Sequence, residues 1–292
     1  EVLDDQEAAI GVYNQVLDLD EDDRMALDNL EKLYIRGERW ENLKDVYQKK
    51  ADLAETDEDR KQMLYVLGQV YDAELKDVDR AIDTYQHILE IDPDDFQAIQ
   101  ALDRLYFAAE RWYDLLSILE REVELAGGSP EVVGLKHRIG NLWEVQLGDM
   151  VRAVDSYREA LELDPMHEPT VAALDGIVHG DKEPVAACHV LEPIYESAME
   201  WERLIDLCEV MVTHTDDVFS KVELLQRVAL LYETQLDRPS DAFQSYGRAF
   251  QEEPGHEDIV GHLERLAGET GLWEQLAQLY EEGMDQPIKA AA

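Results

Sequence analysis

Tryptophans recur at one fixed distance along this chain of 292 residues. Trp40 and Trp112 are 72 residues apart, and so are Trp201 and Trp273. The interval from Trp112 to Trp201 is 89 residues, which is one such period with 17 additional residues. A fixed period of this length is typical of repeat proteins, in which each unit packs on its neighbours, and it argues against a single globular enzyme domain.

Each period also contains a block of apolar residues at helical spacing. The three clearest blocks are AIDTYQHILEIDP (81–93), AVDSYREALELDP (153–165) and AFQSYGRAFQEEP (242–254). In the first block Ala81, Tyr85 and Ile88 are spaced i, i+4 and i+7, which places them on one helix face. The small residue lets two helices approach closely, and the aromatic residue fills the space beside it. The proline then ends the helix, because it cannot donate a backbone hydrogen bond.

Another helix is predicted before each block. The segments that indicate it are LGQVY (67–71), IGNLW (139–143) and VALLY (228–232). Together with the following small residue, aromatic residue and proline, this pattern resembles the tetratricopeptide repeat of about 34 residues. Weaker copies lie between the strong ones, so the 72-residue period contains two helical hairpins. One departure is the distance from Tyr71 to Ala81, 10 residues where the family usually has nine, which implies a slightly longer turn.

The resemblance implies an all-α fold, a right-handed superhelical solenoid of antiparallel helical hairpins with about 16 helices. We expect tetratricopeptide-like repeats over residues 1–165 and again over residues 184–292, in one continuous solenoid. The chain opens at Glu1 in the middle of a repeat and without an initiator methionine, so we expect it to be a fragment of a longer array.

An inserted extra helix and a break in the phase of the repeats are expected at residues 166–183. In this segment Val171, Leu174 and Val178 are spaced i, i+3 and i+7 and form an apolar stripe. Gly180 and Pro184 mark the end of that helix. An additional helix in an alternating array changes which face the next helix meets, so a pocket or a hinge is expected at the join.

The chain is strongly acidic, with 67 Asp and Glu against 26 Lys and Arg and a net charge of −41. Such a field repels nucleic acid and anionic membranes and favours basic partners, although solubility alone also explains it. No segment approaches the ~18 uninterrupted apolar residues of a membrane span. We expect a cytoplasmic protein whose Cys188 and Cys208 are small core residues rather than a disulfide or metal ligands.

The candidate catalytic and metal-binding motifs in the sequence are all incomplete. The run DLDEDD (18–23) begins like a calcium loop, but Asp23 and Asn29 stand where glycine and glutamate are required. An acidic turn between helices, with N-cap carboxylates, explains it better. His256 and His262 are six residues apart instead of the four that would share a helix face. We therefore expect no enzyme activity, no cofactor and no metal.

Binding is the remaining function. In the family, the first helix of each hairpin lines a concave groove, and five positions of the motif typically face the ligand. The resemblance carries these positions over to Lys32, Arg36, Gln62, Tyr65, Gln69, Asp72, Gln100, Arg104, Phe107, His137, Asn141, Glu144, His189, Gln226, Glu233 and Arg265. The expected groove is thus of mixed charge.

The resulting hypothesis is a scaffold that binds a partner protein or peptide, with a basic one favoured, in the groove of the solenoid. A first alternative is a structural spacer or assembly module of a longer repeat protein, including end-to-end self-association. A second alternative is an accessory domain of an enzyme. Neither nucleic acid nor membrane insertion is expected.

Overall fold

The fold of the chain, taken from a computed structural model that describes residues 2–285, is entirely helical over that range. The sixteen α-helices are α1 (Val2–Leu19), α2 (Arg24–Arg36), α3 (Trp40–Asp52), α4 (Asp57–Gln69), α5 (Val78–Ile91), α6 (Phe96–Ala108), α7 (Trp112–Ala126), α8 (Glu131–Asn141), α9 (Met150–Leu163), α10 (Glu168–Val178), α11 (Pro184–Ser197), α12 (Trp201–His214), α13 (Val218–Thr234), α14 (Pro239–Glu252), α15 (Glu257–Thr270) and α16 (Trp273–Asp285). The predicted all-α fold of helical hairpins and its helix count are confirmed.

The chain divides into two compact units, residues 1–135 and residues 136–292. In the first unit each helix from α1 to α7 packs on the next, and α2–α3, α4–α5 and α6–α7 are the hairpins. In the second unit α13–α14 and α15–α16 are hairpins, and α9 contacts both α10 and α11. Each helix therefore buries its apolar stripe against its sequence neighbours, as expected for a repeat array.

The predicted helix contacts are present at the small residues of the strong blocks. Ala81, Ala153 and Ala242 are all fully buried. The aromatic residues beside them are buried as well, and Tyr157 has no exposed surface. Glycine on the preceding helix makes room for the ring, since a Cβ at Gly140 would lie 2.5 Å from ring carbons of Tyr157. The glycine and the tyrosine thus form one packing unit.

The additional residue that makes the distance from Tyr71 to Ala81 ten instead of nine lies inside a helix and does not lengthen the turn. Helix α4 continues into a π-helical segment, Val70–Leu75, and α8 continues into a second one, Leu142–Leu147. A π-helical turn accommodates one additional residue without breaking the helix. The expectation of a longer turn between Tyr71 and Ala81 is therefore wrong.

Aspartates at the turns cap the following helices. Asp23 caps α2, and its side chain accepts a hydrogen bond of 2.7 Å from the backbone N–H of Ala26. Asp95 and Asp149 do the same for α6 and α9. These carboxylates satisfy free N–H groups and interact favourably with the helix dipole. Asp23, in the run that resembles a calcium loop, thus serves as a helix cap.

The four periodic tryptophans begin helices α3, α7, α12 and α16. Trp40, Trp112 and Trp201 are half-buried, whereas Trp273, in the last hairpin, is 55% exposed. The interpretation of three of them as packing residues agrees with this burial. Trp273 is more exposed than that interpretation predicts.

Residues 168–178 form helix α10, and its Leu174 and Val178 are buried, as the apolar stripe predicts. The division of the chain at residues 166–183 stays a prediction. Among residues 2–285, no helix has the combination of length and apolar character that crossing a membrane requires.

Candidate interaction surface on the first helices

The predicted binding residues lie on the first helices of the hairpins, and we call the side of these helices that carries them the first-helix surface. In the first unit it comprises α2, α4 with its π-helical segment, and α6. In the second it comprises α8, α11, α13 and α15, together with α10, which carries none of the predicted residues.

On α2, Lys32 and Arg36 are exposed, and neither forms an ion pair within the described part of the chain. Their charges are therefore available to an acidic group of a partner. Three of the predicted residues that follow are exposed amides, which carry hydrogen-bonding groups but no charge. They are Gln62, Gln69 and Gln100.

Arg104 is held by an acidic side chain of the neighbouring first helix. Its guanidinium forms an ion pair with Asp72, which lies 32 residues earlier. This hydrogen bond to Asp72 raises the pKa of Arg104. The charge of Arg104 is thus largely neutralised within the chain, and the residue is a weaker anchor for a partner than the sequence suggests.

The two predicted aromatic residues of this unit also have internal partners. The Tyr65 hydroxyl donates to Asp95, and burial, followed by this hydrogen bond, raises the pKa of Tyr65. Phe107 is 60% exposed and packs edge-on against Trp112, with ring centroids 5.8 Å apart. Phe107 therefore offers an apolar surface at the end of α6.

In the second unit a groove lies between α13 and α15, with a volume of about 720 Å³. Of the predicted residues, Gln226 and Arg265 line it. The other lining residues are Glu223, Arg227, Leu230, Tyr246, Glu257, Asp258, Gly261 and His262. We call this the α13–α15 groove. The ring of Tyr246 forms part of its wall and stacks on His262, with centroids 4.6 Å apart.

A second cavity of about 550 Å³ adjoins the first and includes the predicted residue His189. Glu223 and Arg227 line both cavities, so the two lie side by side along α13, one toward α15 and the other toward α11. Such an arrangement across successive first helices is the shape that an extended segment requires.

The arginines of the α13–α15 groove are paired with acidic residues of the chain. Arg265 contacts Glu233 at 2.8 Å and also Glu269, and the hydrogen bond to Glu233 raises its pKa. Arg227 pairs with Glu192. By contrast, three carboxylates on the groove have no basic partner among residues 2–285. They are Glu223, Glu257 and Asp258. The groove therefore presents a net negative charge.

The remaining predicted residues, His137, Asn141 and Glu144, lie on α8 and its π-helical segment. Nδ1 of His137 lies 3.1 Å from the hydroxyl of Thr170 on α10. Burial, with a smaller effect of nearby His167, lowers the pKa of His137, so it is neutral at pH 7. The imidazole at this place is therefore a hydrogen-bonding group without a charge.

Glu144 is half-buried and accepts a hydrogen bond of 2.6 Å from the Tyr157 hydroxyl. Burial, followed by this hydrogen bond, raises the pKa of Tyr157, so the tyrosine stays protonated and keeps donating. Asn141 is exposed at the end of α8.

Eight of the ten residues that line the α13–α15 groove are missing from the sequence prediction, and three of them show why. Glu223 and Gly261 lie three or four residues before Gln226 and Arg265 on the same helices, so helical spacing alone could have found them. Tyr246 comes from the second helix α14, and a count along first helices cannot reach it.

The two cysteines are buried and free. Burial raises the pKa of Cys188 to about 12 and that of Cys208 to about 11, so both are thiols at neutral pH. Within residues 2–285 no group of three His, Cys, Asp or Glu side chains is placed to hold a metal ion.

Family models described as tetratricopeptide repeat match residues 26–61 and 61–95. These matches coincide with the hairpin α2–α3 and with α4 and α5. No curated protein matches the chain.

Among solved structures, YrrB, described as a TPR protein with an unusual peptide-binding site, is 18% identical with a TM-score of 0.35, covering 60% of this chain and 86% of its own. The TPR domain of P58(IPK) is 17% identical with a TM-score of 0.33, covering 99% and 81%. The C-terminal part of a TPR repeat-containing protein from Cytophaga hutchinsonii is 14% identical with a TM-score of 0.37, covering 89% and 95%.

Proposed function

We propose that this chain, a tetratricopeptide repeat protein with matched repeats at residues 26–95, binds a basic, extended segment of a partner protein along its first-helix surface. Repeats of this family are generally non-catalytic modules of protein interaction, so the chain is an interaction scaffold.

The observation that carries the proposal is the α13–α15 groove. Leu230, which is 50% exposed, contributes apolar surface to this groove. The stacked rings of Tyr246 and His262 lie in the same groove. Its arginines are already paired inside the chain, whereas Glu223, Glu257 and Asp258 are not. Lysine or arginine side chains of a partner complement these carboxylates, while their aliphatic parts pack on the apolar surface.

The test uses a phage library of 12-residue peptides selected on the full chain, followed by affinity measurements on two glycine variants. Gly261 lines the groove and has open space around its missing side chain, so Gly261→Trp fills the groove without displacing a contact. Gly255 has equally open space in the turn before α15 and does not line the groove, so Gly255→Trp is the matched control.

We expect selected peptides rich in lysine and arginine whose affinity falls at least about tenfold with Gly261→Trp and is unchanged with Gly255→Trp. Affinity should also fall steeply with salt, because exposed charges are screened within about 8 Å at physiological ionic strength. Peptides that bind both variants equally would place the site elsewhere. A selection that yields no binder would favour the structural spacer.

In the first unit, a charge reversal tests whether the same surface takes part. Lys32 is exposed and has no ion pair in the described part of the chain, so Lys32→Glu changes the surface without breaking an internal contact. Arg104→Glu would break the pair with Asp72 and is less informative. A partner that contacts α2 should gain affinity with Lys32→Glu where it is basic and lose affinity where it is acidic, whereas a partner restricted to the α13–α15 groove should not respond.

A further inference from the structure

Three repeats of this chain place an acidic residue at one position of the first-helix surface. The residue is Asp72, Glu144 or Glu233, and in each case it follows the last aromatic residue of the first helix. In two of the repeats an arginine 32 residues later, on the next first helix, pairs with the carboxylate. The pairing is thus a repeated feature of the surface.

The partner is missing in the middle copy. The residue 32 positions after Glu144 is Gly176 on α10, where α6 has Arg104 and α15 has Arg265. Glu144 has no ion pair within the described residues, and its one hydrogen bond comes from the uncharged Tyr157 hydroxyl. A half-buried carboxylate without a cation is electrostatically unfavourable compared with the paired copies.

Helix α10 nevertheless occupies the same place relative to its neighbour as α6 does. His137 of α8 contacts His167 and Thr170, at the start of α10, through its ring and its Nδ1 atom. Tyr65, at the position equivalent to His137, contacts Asp95 at the start of α6. The two helix pairs therefore share one alignment, and the arginine is replaced without a shift of the helix.

The place of the missing side chain is open. A Cβ at Gly176 would have no heavy atom within 4 Å. Ala172, one turn earlier on α10, is exposed and small, where α6 has Gln100. Because both residues are small, the backbone of a bound segment can approach α10 closely here. His137 is neutral at pH 7, so it does not replace the missing cation.

We propose that Glu144 and the open space over Gly176 form a binding position for an arginine side chain of a partner segment, which takes the place of the arginine that the chain supplies itself in the other two copies. Arginine fits better than lysine, because its planar guanidinium makes two parallel hydrogen bonds to a carboxylate. This inference rests on the proposed function, and it names a specific contact within it.

The probe is a nine-residue glycine–serine peptide with one central arginine, and its twin carries citrulline, which has the same shape without the charge. Amide resonances of the ¹⁵N-labelled chain are followed during titration. We expect arginine-dependent shifts of residues 141–144 and 172–179, with affinity for the citrulline peptide at least about tenfold lower.

Two variants test the site from both sides. Gly176→Arg should pair with Glu144 and abolish the shifts, whereas Gly11→Arg, the same substitution at another open helical glycine that lies outside both proposed sites, should leave them unchanged. Glu144→Gln should also abolish them, and because glutamine can still accept the Tyr157 hydrogen bond it keeps the local fold. Gly176→Arg should in addition raise the midpoint of thermal unfolding.

The inference is overturned if the citrulline peptide binds equally well, if the shifts persist in Gly176→Arg, or if no shift occurs up to the solubility limit of the peptide. Such a result leaves the proposed function intact as long as selected peptides still discriminate Gly261→Trp from Gly255→Trp. Loss of that discrimination, with the arginine-dependent shifts present, would instead reject the α13–α15 groove and retain the Glu144 position.

Discussion

A single methyl group at Gly140 should be enough to destabilise the second unit. The Cβ of an alanine there would lie 2.5 Å from both Cδ1 and Cε1 of the Tyr157 ring, far inside van der Waals contact. The ring cannot easily withdraw, because Tyr157 is fully buried and its hydroxyl is held by Glu144. Overpacking of this kind costs roughly 1 to 3 kcal/mol.

Alanine also favours a helix over glycine by roughly 0.5 to 1 kcal/mol, and this gain has to be separated from the clash. Gly261→Ala provides the separation, since Gly261 also lies inside a helix of the second unit and its Cβ would contact nothing within 4 Å. The two variants share the propensity gain. Their difference in unfolding free energy should therefore equal the overpacking cost of roughly 1 to 3 kcal/mol.

Urea unfolding followed by circular dichroism measures this difference, with midpoint and slope reported separately because a repeat array can unfold in more than one step. We expect Gly261→Ala to be as stable as the parent chain or more stable, and Gly140→Ala to be clearly less stable. Equal stabilities would refute the packing argument. In the third copy the equivalent position is Ala229, which is fully buried, so this position accepts an alanine in that repeat.

Four further predictions concern burial and charge. Ala153→Leu should cost roughly 1 to 3 kcal/mol in urea unfolding, because Ala153 is fully buried between helices; unchanged stability would contradict that contact. The lowered pKa of His137 means that the folded state binds fewer protons than the unfolded one, so stability should fall as the pH drops below about 6.5, and less so in His137→Gln. Cys188 and Cys208 should react with a thiol reagent at pH 8 only after unfolding. Amides of α11 should exchange with deuterium more slowly than those of α10, since α11 is buried against helices on two sides.

Local patterns in the sequence predict the helices well. The small residue and the tyrosine of each strong block determine a helix contact, and Ala81 and Tyr85 are buried as that pattern requires. The prolines and capping aspartates mark the ends, because their effect is confined to one turn of the chain. Features that depend on residues close in sequence are thus recoverable without a structure.

The surface chemistry is harder to predict, because it depends on residues about 32 positions apart. Counting motif positions finds Arg104 and Arg265, and also Asp72 and Glu233, but it does not show that they form ion pairs with one another. The same count finds Glu144, but it does not reveal that Gly176 stands where the other copies have the arginine partner. The only sign of the π-helical segments in the sequence is the distance of ten residues instead of nine. That distance does not show whether the additional residue lies in the turn or in the helix.

Helix α11 makes contacts of two kinds, and the first kind joins it to α10. Tyr195 of α11 donates its hydroxyl to Asp175 of α10. In the hairpin α2–α3 the same bond runs from Tyr47 on the second helix to Glu31 on the first. Asp175 and Glu31 both follow a buried leucine at the same point of their helices. Toward α10, therefore, α11 has the role of a second helix.

Toward α13 the same helix has the opposite role. Arg227 of α13 pairs with Glu192 of α11, as Arg265 of α15 pairs with Glu233 of α13, and the latter pair joins two first helices. A helix that is second to its predecessor and first to its successor shifts the alternation of first and second helices by one. We propose that the change of phase lies at α11, residues 184–197, directly after the segment 166–183 at which the 17 additional residues of the sequence predict it. Both α10 and α11 resemble first helices in sequence. The contacts described above single out α11 as the helix that acts as second to α10 and as first to α13.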